Sequence, residues 1–273
     1  MRIEVVTIGD ELLLGYTIDT NAAHLARELA SLGVEIARRT TCGDTADDIA
    51  GAVREALDRA DAVITTGGLG PTSDDLTKPA IGALFGRRMV LDEEHLAWMR
   101  DRWATRWPDR PMPEANVQQA MLPEGARKLA NHHGSAPGIF LEDARGRWVA
   151  MLPGVPREMR GMLADTLIPI VRERLGGVQR VVRSTTLRTT GVAESAVADR
   201  IATIEGGVGD VALAYLPNVD GVDLRLTVRD LPPDEADARL AAAAARVRGV
   251  MGHAIYGEGD TDLAAVEIGR AHV

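Results

Sequence analysis

The sequence holds one cysteine in 273 residues, Cys42. No internal disulfide is available, and a reducing compartment, the cytoplasm, is expected. No apolar run approaches the length needed to span a membrane. There is no basic tract and the formal net charge is −9, which argues against a nucleic-acid-binding surface. Strand-like Arg2–Ile8 follows Met1 directly, so no signal peptide is expected. Aromatics make up only 3% of the chain. What is present is an ordinary globular composition, 45% apolar, with length for one large or two medium domains. An acidic protein that handles an anionic substrate needs metal ions or backbone dipoles to do so.

The stretch Ala62–Thr77 organises the rest. Ala62-Val63-Ile64-Thr65-Thr66 is a short apolar, β-branched run, the pattern of a strand buried on both faces. Gly67-Gly68-Leu69-Gly70-Pro71-Thr72 then turns sharply and bares backbone N–H groups. A helix is predicted next, capped by Ser73 or Asp74, with Ile81, Leu84 and Phe85 on its apolar face. Strand, glycine loop and helix start together cradle a phosphate, because free N–H groups and the positive helix end converge. The loop is neither a Walker loop nor G-x-G-x-x-G. Its adjacent Asp74 and Asp75 make sense beside phosphate if a divalent cation lies between; otherwise they are a helix cap and a solvated first-turn acid.

Around this stretch strands and helices alternate. Ile3–Ile8 is predicted as a central strand running into Gly9-Asp10-Glu11, with two acids at the strand's carboxyl end, where open α/β sheets place ligands. A helix follows Asp19-Thr20-Asn21, then a strand over Val34–Thr40, then a helix capped by Asp44 or Thr45. Asp92 starts another helix with Leu96, Met99 and Trp103 inward. Trp98, Trp103 and Trp107 are read as packing aromatics rather than a stacking platform, because no basic groove surrounds them in sequence. His132 and His133 are adjacent on an extended loop, point to opposite faces, and are read as solvated. Ile139–Leu141 and Trp148–Leu152 form a predicted β-hairpin that exits into Pro153-Gly154-Val155-Pro156-Arg157-Glu158, a second turn aiming N–H groups from a strand end. Glu158 is either a metal or water ligand or a favourable first-turn acid. Lys78 either balances phosphate charge or is a surface lysine.

The pattern predicts a largely parallel sheet with helices on both faces over residues 1–170. Pro169–Gly177 reads as a boundary. A small α+β domain is predicted over 178–256: strand Val178–Thr190, helix Glu194–Ile204, hairpin Val211–Leu216 with Val222–Val228, alanine-rich helix Pro232–Arg248 and edge strand Ala254–Tyr256.

Five motifs in this order resemble the N-terminal part of the competence/damage-inducible protein A (CinA) family. They are Gly9–Gly15 with Asp19 and Asn21, Gly67–Asp75 with Thr77, Asn116 with Gln119-Ala120, Ala136-Pro137-Gly138, and Leu152–Pro156 with Glu158-Met159. The resemblance implies a three-layer αβα fold of the molybdenum-cofactor (MoaB/Mog) type followed by a KH-type domain. It further implies an ADP-ribose pyrophosphatase that needs a divalent metal of the Mg, Mn or Co type, sometimes helped by K+, and a homodimer. Leu69 stands where molybdopterin-handling relatives usually have threonine, which favours the CinA branch. Gly191-Val192-Ala193-Glu194 is acidic and lacks a second glycine, so the KH resemblance does not imply RNA binding.

On this reading a nucleotide substrate lies on Gly67, Gly68, Gly70 and Thr72, with Asn21, Thr77, Lys78 and Gly154 around it. Asp10, Asp74 and Asp75 hold metal, and Asp74, Asp75 and Glu158 are the catalytic carboxylates. Alternatives are a pterin- or nucleotide-binding module, molybdopterin transfer chemistry, and a regulatory domain for the nicotinamide mononucleotide deamidase that many family members carry C-terminally. Residues 257–273 are expected to be a truncated tail. Ile268–Val273 back-translates to ATCGGAAGAGCACACGTC, a sequencing-adapter-like string, and is expected to be non-native.

Overall fold

A computed structural model describes residues 1–176, 180–261 and Leu263. The expectations for Val178 and for Ile268–Val273 lie outside the described residues. The chain divides into two compact units. Met1–Leu29 with Val34–Gly176 forms one; Ala30–Gly33 with the described residues from Arg180 onward belongs to the other.

The first unit runs β1 (Ile3–Ile8), α1 (Asp10–Leu13), α2 (Thr20–Ala30), β2 (Ile36–Cys42), α3 (Ala46–Arg59), β3 (Ala62–Thr66), α4 (Thr77–Leu84), β4 (Met89–Leu91) and α5 (Glu93–Arg106). A 3-10 turn at Glu114–Ala120 leads to β5 (Met121–Pro123), β6 (Arg127–Leu129), β7 (Gly138–Glu142), β8 (Trp148–Leu152), α6 (Pro156–Met162) and α7 (Ile168–Leu175). Six strands form one sheet in the order β2-β1-β3-β8-β7-β6. The first four are mutually parallel, and β7 and β6 add antiparallel through the expected hairpin. β1 and β3 are buried at every position. The one charge this places in the sheet, Glu4, is satisfied by Arg59 at 2.9 Å.

Helix starts follow their caps. Thr45 accepts from the Asp48 N–H, Asp92 from the His95 N–H, and Asp19 from the Ala22 N–H. The helix after the glycine loop departs from expectation. It begins at Thr77 with Leu76 as N-cap and no side-chain cap, so neither Ser73 nor Asp74 caps it. The cause is local: the Thr77 hydroxyl donates to Gly67 O (2.9 Å) and its N–H to Gly68 O (3.3 Å), tying the helix start back to the strand exit. The helix from Pro156 runs through Pro169 and stops inside the expected boundary Pro169–Gly177. It passes through one π turn, Leu163–Leu167, before ending at Gly176. Proline lacks an N–H, so the ladder widens there instead of stopping.

The second unit contains β9 (Val181–Thr189), α8 (Glu194–Ala202), β10 (Ala212–Pro217), β11 (Val222–Leu231), α9 (Pro233–Met251) and β12 (Ile255–Glu258). Its strands lie in the order β10-β11-β9-β12, all antiparallel, with Leu187, Leu224, Leu226, Ala243 and Val247 in the core. The α+β order is the one read from the sequence. Among the described residues no helix is long and apolar enough to cross a membrane.

Candidate active site

The carboxyl ends of β1, β3 and β8 open on one pocket of about 450 Å³. Gly9, Glu11 and Asp44 line it on one side, Gly67–Pro71 with Asp74 and Asp75 on the next, and Pro153–Val155 with Glu158 opposite. Gln119, Ser135 and Ala136 complete the wall. Three predicted segments thus meet at the edge where parallel sheets bind ligands.

The glycine loop is more rigid than a bare cradle. The Gly67 N–H donates to Leu152 O at 3.1 Å, joining the exits of β3 and β8. Gly68 has φ +64°, and a Cβ there would lie 2.2 Å from the Thr77 hydroxyl. Both glycines are required, by conformation and by close approach. Asp75 closes the loop: its carboxylate accepts from the Gly70 N–H (2.7 Å), the Thr72 N–H (2.8 Å) and the Thr72 hydroxyl (2.5 Å). This alters several expected roles. The N–H groups of Gly67, Gly70 and Thr72 are spent inside the protein. Asp75 shapes the loop rather than presenting an unengaged carboxylate. Thr77 is fully buried and serves the loop, not the pocket.

Asp74 sits exposed at the rim. The Thr72 hydroxyl, shared with Asp75, and the Asp74 N–H hold its carboxyl below the usual carboxylate pKa. Asp10 exchanges backbone-to-carboxylate bonds with Asp44 (2.9 and 3.4 Å), so Glu11 and Asp44, not Asp10, face the pocket. Asn21 lies below, its Nδ2 donating to Gly154 O at 2.7 Å, while its buried Oδ1 has no protein partner. It holds the Pro153–Val155 turn in place.

Lys78 is 3% exposed, not a surface lysine. Its ammonium donates to Gln118 O at 2.5 Å, and burial lowers its pKa to about 8 against the pull of Asp75. It borders a separate cavity behind the glycine loop, so its charge supports Asp75 from the rear.

Glu158 belongs to a network not read from the sequence. Asn131 Nδ2 donates to its Oε2 (2.6 Å) and to Ala136 O (2.8 Å), while Asn131 Oδ1 accepts from the His133 N–H (2.9 Å). A Cβ on Gly134 would lie 1.9 Å from Glu158 Oε2, so glycine leaves the carboxylate the room it occupies and a larger residue would displace it. The signal was an asparagine ahead of a glycine in the Asn131–Gly138 loop. His132 is exposed as expected, but His133 is half-buried, 3.4 Å from Asp165. The tryptophans also depart from expectation. Arg102 lies over the Trp98 ring (5.4 Å to its centroid), one helical turn on, and Arg106 lies over the ring of its neighbour Trp107 (4.9 Å), where the helix ends.

Oxygen donors alone line the pocket, which suits hard cations. Asp10, Asp74 and Asp75 do not form one ligand set: among the described residues no three His, Cys, Asp or Glu side chains converge on one ion.

A parallel-sheet domain with its site at the strand ends, followed by a small α+β domain, is matched by two family models. A probable molybdopterin binding domain covers residues 4–173, and a damage-inducible protein CinA KH domain covers 184–257. The chain belongs to the CinA family. It is 64% identical over 266 residues to a CinA-like protein of Gemmatimonas aurantiaca, covering 97% of this chain and 62% of that protein. It is 41% identical over 256 residues to a putative competence-damage inducible protein of Desulforudis audaxviator, covering 94% and 61%. The chain therefore spans about three fifths of the length of these curated relatives. Among solved structures, the crystal structure of CinA from Thermoplasma acidophilum, a protein of unknown function, is similar at 33% identity and a TM-score of 0.56. That likeness covers 62% of this chain and 97% of that one.

Proposed function

We propose that this chain hydrolyses the pyrophosphate bond of ADP-ribose or a similar nucleotide, assisted by a divalent cation. The observation that carries the reading is the pocket lining: five carboxylates, Glu11, Asp44, Asp74, Asp75 and Glu158, around a glycine loop, with no lysine or arginine among the described lining residues. A pyrophosphate in such a pocket is repelled unless a cation lies between. A cation of the Mg, Mn or Co type, with K+ as an auxiliary ion, would be held by substrate phosphates and water together with at most two of the carboxylates Glu11, Asp44 and Asp74. When bound, it neutralises charge on the phosphoanhydride and lowers the pKa of water. The Gly68 and Leu69 N–H groups receive phosphate oxygens, as do the first-turn N–H groups of α6 at Arg157 and Glu158, which have no intrahelical partner. Glu158, fixed by Asn131, takes the proton of the attacking water. The family resemblance favours a homodimer in the cytoplasm. A screen of the purified chain against nucleoside diphosphate compounds, with and without added metal, tests the reading; release of AMP from ADP-ribose supports it.

A second reading, a module that holds a pterin or nucleotide without turnover, is favoured by the absence of a converging metal-ligand triad among the described residues. The description of the first matched family points the same way. Binding without AMP release in that screen distinguishes it.

A further inference from the structure

A cavity of about 380 Å³ lies at the amino end of the sheet and shares no lining residue with the strand-end pocket. The last turns of α3 and α4 and the β7–β8 turn surround it. That turn ends at Arg147, just ahead of Trp148, which pairs with Ala62, the first residue of β3. Leu57, Leu84 and Phe85 give the cavity its apolar part. Arg147 Nη1 donates to Leu57 O at 2.9 Å and ties the turn to α3.

The charges around this apolar part do not cancel. Asp143 accepts from Arg147 Nε at 2.8 Å, Glu142 is paired with Arg174 at 2.5 Å, and Asp58 has Arg147 at 3.9 Å. The acids of the lining are thereby matched, and Arg54 and Arg87 are left over. Both are exposed, and neither guanidinium has an ion pair or hydrogen bond among the described residues. Glu124 feels the Arg87 charge, but Arg88 holds its two oxygens at 2.8 and 3.0 Å. Arg87 is set in place by its backbone: Gly86 closes α4 at φ +64°, and the Arg87 N–H returns to Gly82 O at 2.8 Å. A single cation beside a helix C-terminus needs no ligand to explain it. A second one, brought from another helix to the same apolar cavity in a chain of net charge −9, does.

We infer that this cavity binds a small phosphate monoester carrying an apolar body. The site is separate from the strand-end pocket, and the inference does not depend on the hydrolase reading. Two guanidinium forks suit a head group with about two negative charges and three acceptor oxygens. Leu57, Leu84 and Phe85 offer the body a surface to cover, and the volume falls within the range of small-molecule sites, about 300–1,000 Å³.

The test is a calorimetric titration of the full chain with phenyl phosphate, in buffer with chelator so that metal-dependent binding is kept out. Saturable binding of one molecule per chain is expected. Inorganic phosphate, which lacks the ring, and benzyl alcohol, which lacks the charge, should each bind at least about tenfold more weakly. Arg54→Gln and Arg87→Gln should each weaken phenyl phosphate by about tenfold or more, the loss expected for a charge-assisted hydrogen bond. Both side chains are exposed, so the melting temperature should not change. Glu158→Gln, in the other pocket, should leave the affinity as it is. The inference is overturned if phenyl phosphate does not bind, or if either arginine variant binds it as the wild type does. It is also overturned if Glu158→Gln weakens binding, which would put the anion in the strand-end pocket, or if inorganic phosphate or benzyl alcohol binds as tightly as phenyl phosphate.

Discussion

Asn131 and Glu158, 27 positions apart in sequence, are joined by a 2.6 Å hydrogen bond from the Asn131 amide to Glu158 Oε2. The amide is almost fully committed, since it also serves Ala136 O and the His133 N–H. Asn131 is a positioning residue. Asn131→Ala is expected to lower AMP release from ADP-ribose by about 10–100-fold, the usual cost of losing a partner that orients a reacting carboxylate. Asn131→Asp, which sets a like charge beside Glu158, should do worse than alanine. Equal rates in wild type and both variants would show that Glu158 needs no such support.

Gly134→Ala probes the same carboxylate by crowding. The added methyl would meet Glu158 Oε2 at 1.9 Å, while the backbone there has no positive φ that excludes alanine. Activity should fall by at least about tenfold with a melting temperature close to wild type, because Glu158 swings away into open space. A large drop in stability with activity retained per folded molecule would contradict this.

Asp74→Asn should leave stability unchanged, since Asp74 is exposed and caps no helix. It should raise the metal concentration needed for half-maximal rate and cut the rate at saturating substrate. Metal titrations of both proteins decide it, and superimposable curves would remove Asp74 from the site.

Thr77→Val removes the hydroxyl that satisfies Gly67 O in a fully buried position. Denaturant unfolding should show a loss of about 1–3 kcal/mol, the range for a buried group left unpaired. Gly68→Val should be worse, because valine would sit at φ +64° against Thr77 and would damage fold and site together.

Lys78 makes stability depend on alkaline pH. Burial lowers its pKa to about 8 from 10.5, so the folded chain releases this proton before the unfolded chain does. Between those values the unfolded state binds more protons, and stability contributed by this site rises with pH. The gain is up to about 3 kcal/mol if the full shift is realised. Subtracting unfolding free energies of Lys78→Met from wild type, measured from pH 7 to 10, should give a difference that climbs above pH 8. A flat or falling difference would show that Lys78 is not held deprotonation-prone.

Much of this was legible in the sequence. Buried β-branched runs such as Ala62–Thr66, short loops and helix caps at Thr45 and Asp92 announce the parallel sheet. The three strand exits that build the pocket could be listed without coordinates. The division of labour inside the loop could not. Asp74 and Asp75 are neighbours of identical chemistry, and only the turn geometry assigns Asp75 to Gly70 and Thr72 while leaving Asp74 at the rim. Lys78 looked exposed because lysines usually are, and its burial depends on Gln118, 40 positions away. Asn131 was hidden for a related reason: its role exists only once Pro156–Met162 brings Glu158 beside it. Arg102 reaches Trp98 only when α5 winds the two into register.

The most direct measurement is the initial rate of AMP release from ADP-ribose by the wild-type chain and by Glu158→Gln, each with Mn²⁺ and with chelator. The account predicts release by the wild type only with metal, and a rate at least about 100-fold lower for Glu158→Gln at an unchanged melting temperature. No AMP release with any divalent metal, or equal rates for the two proteins, would contradict it.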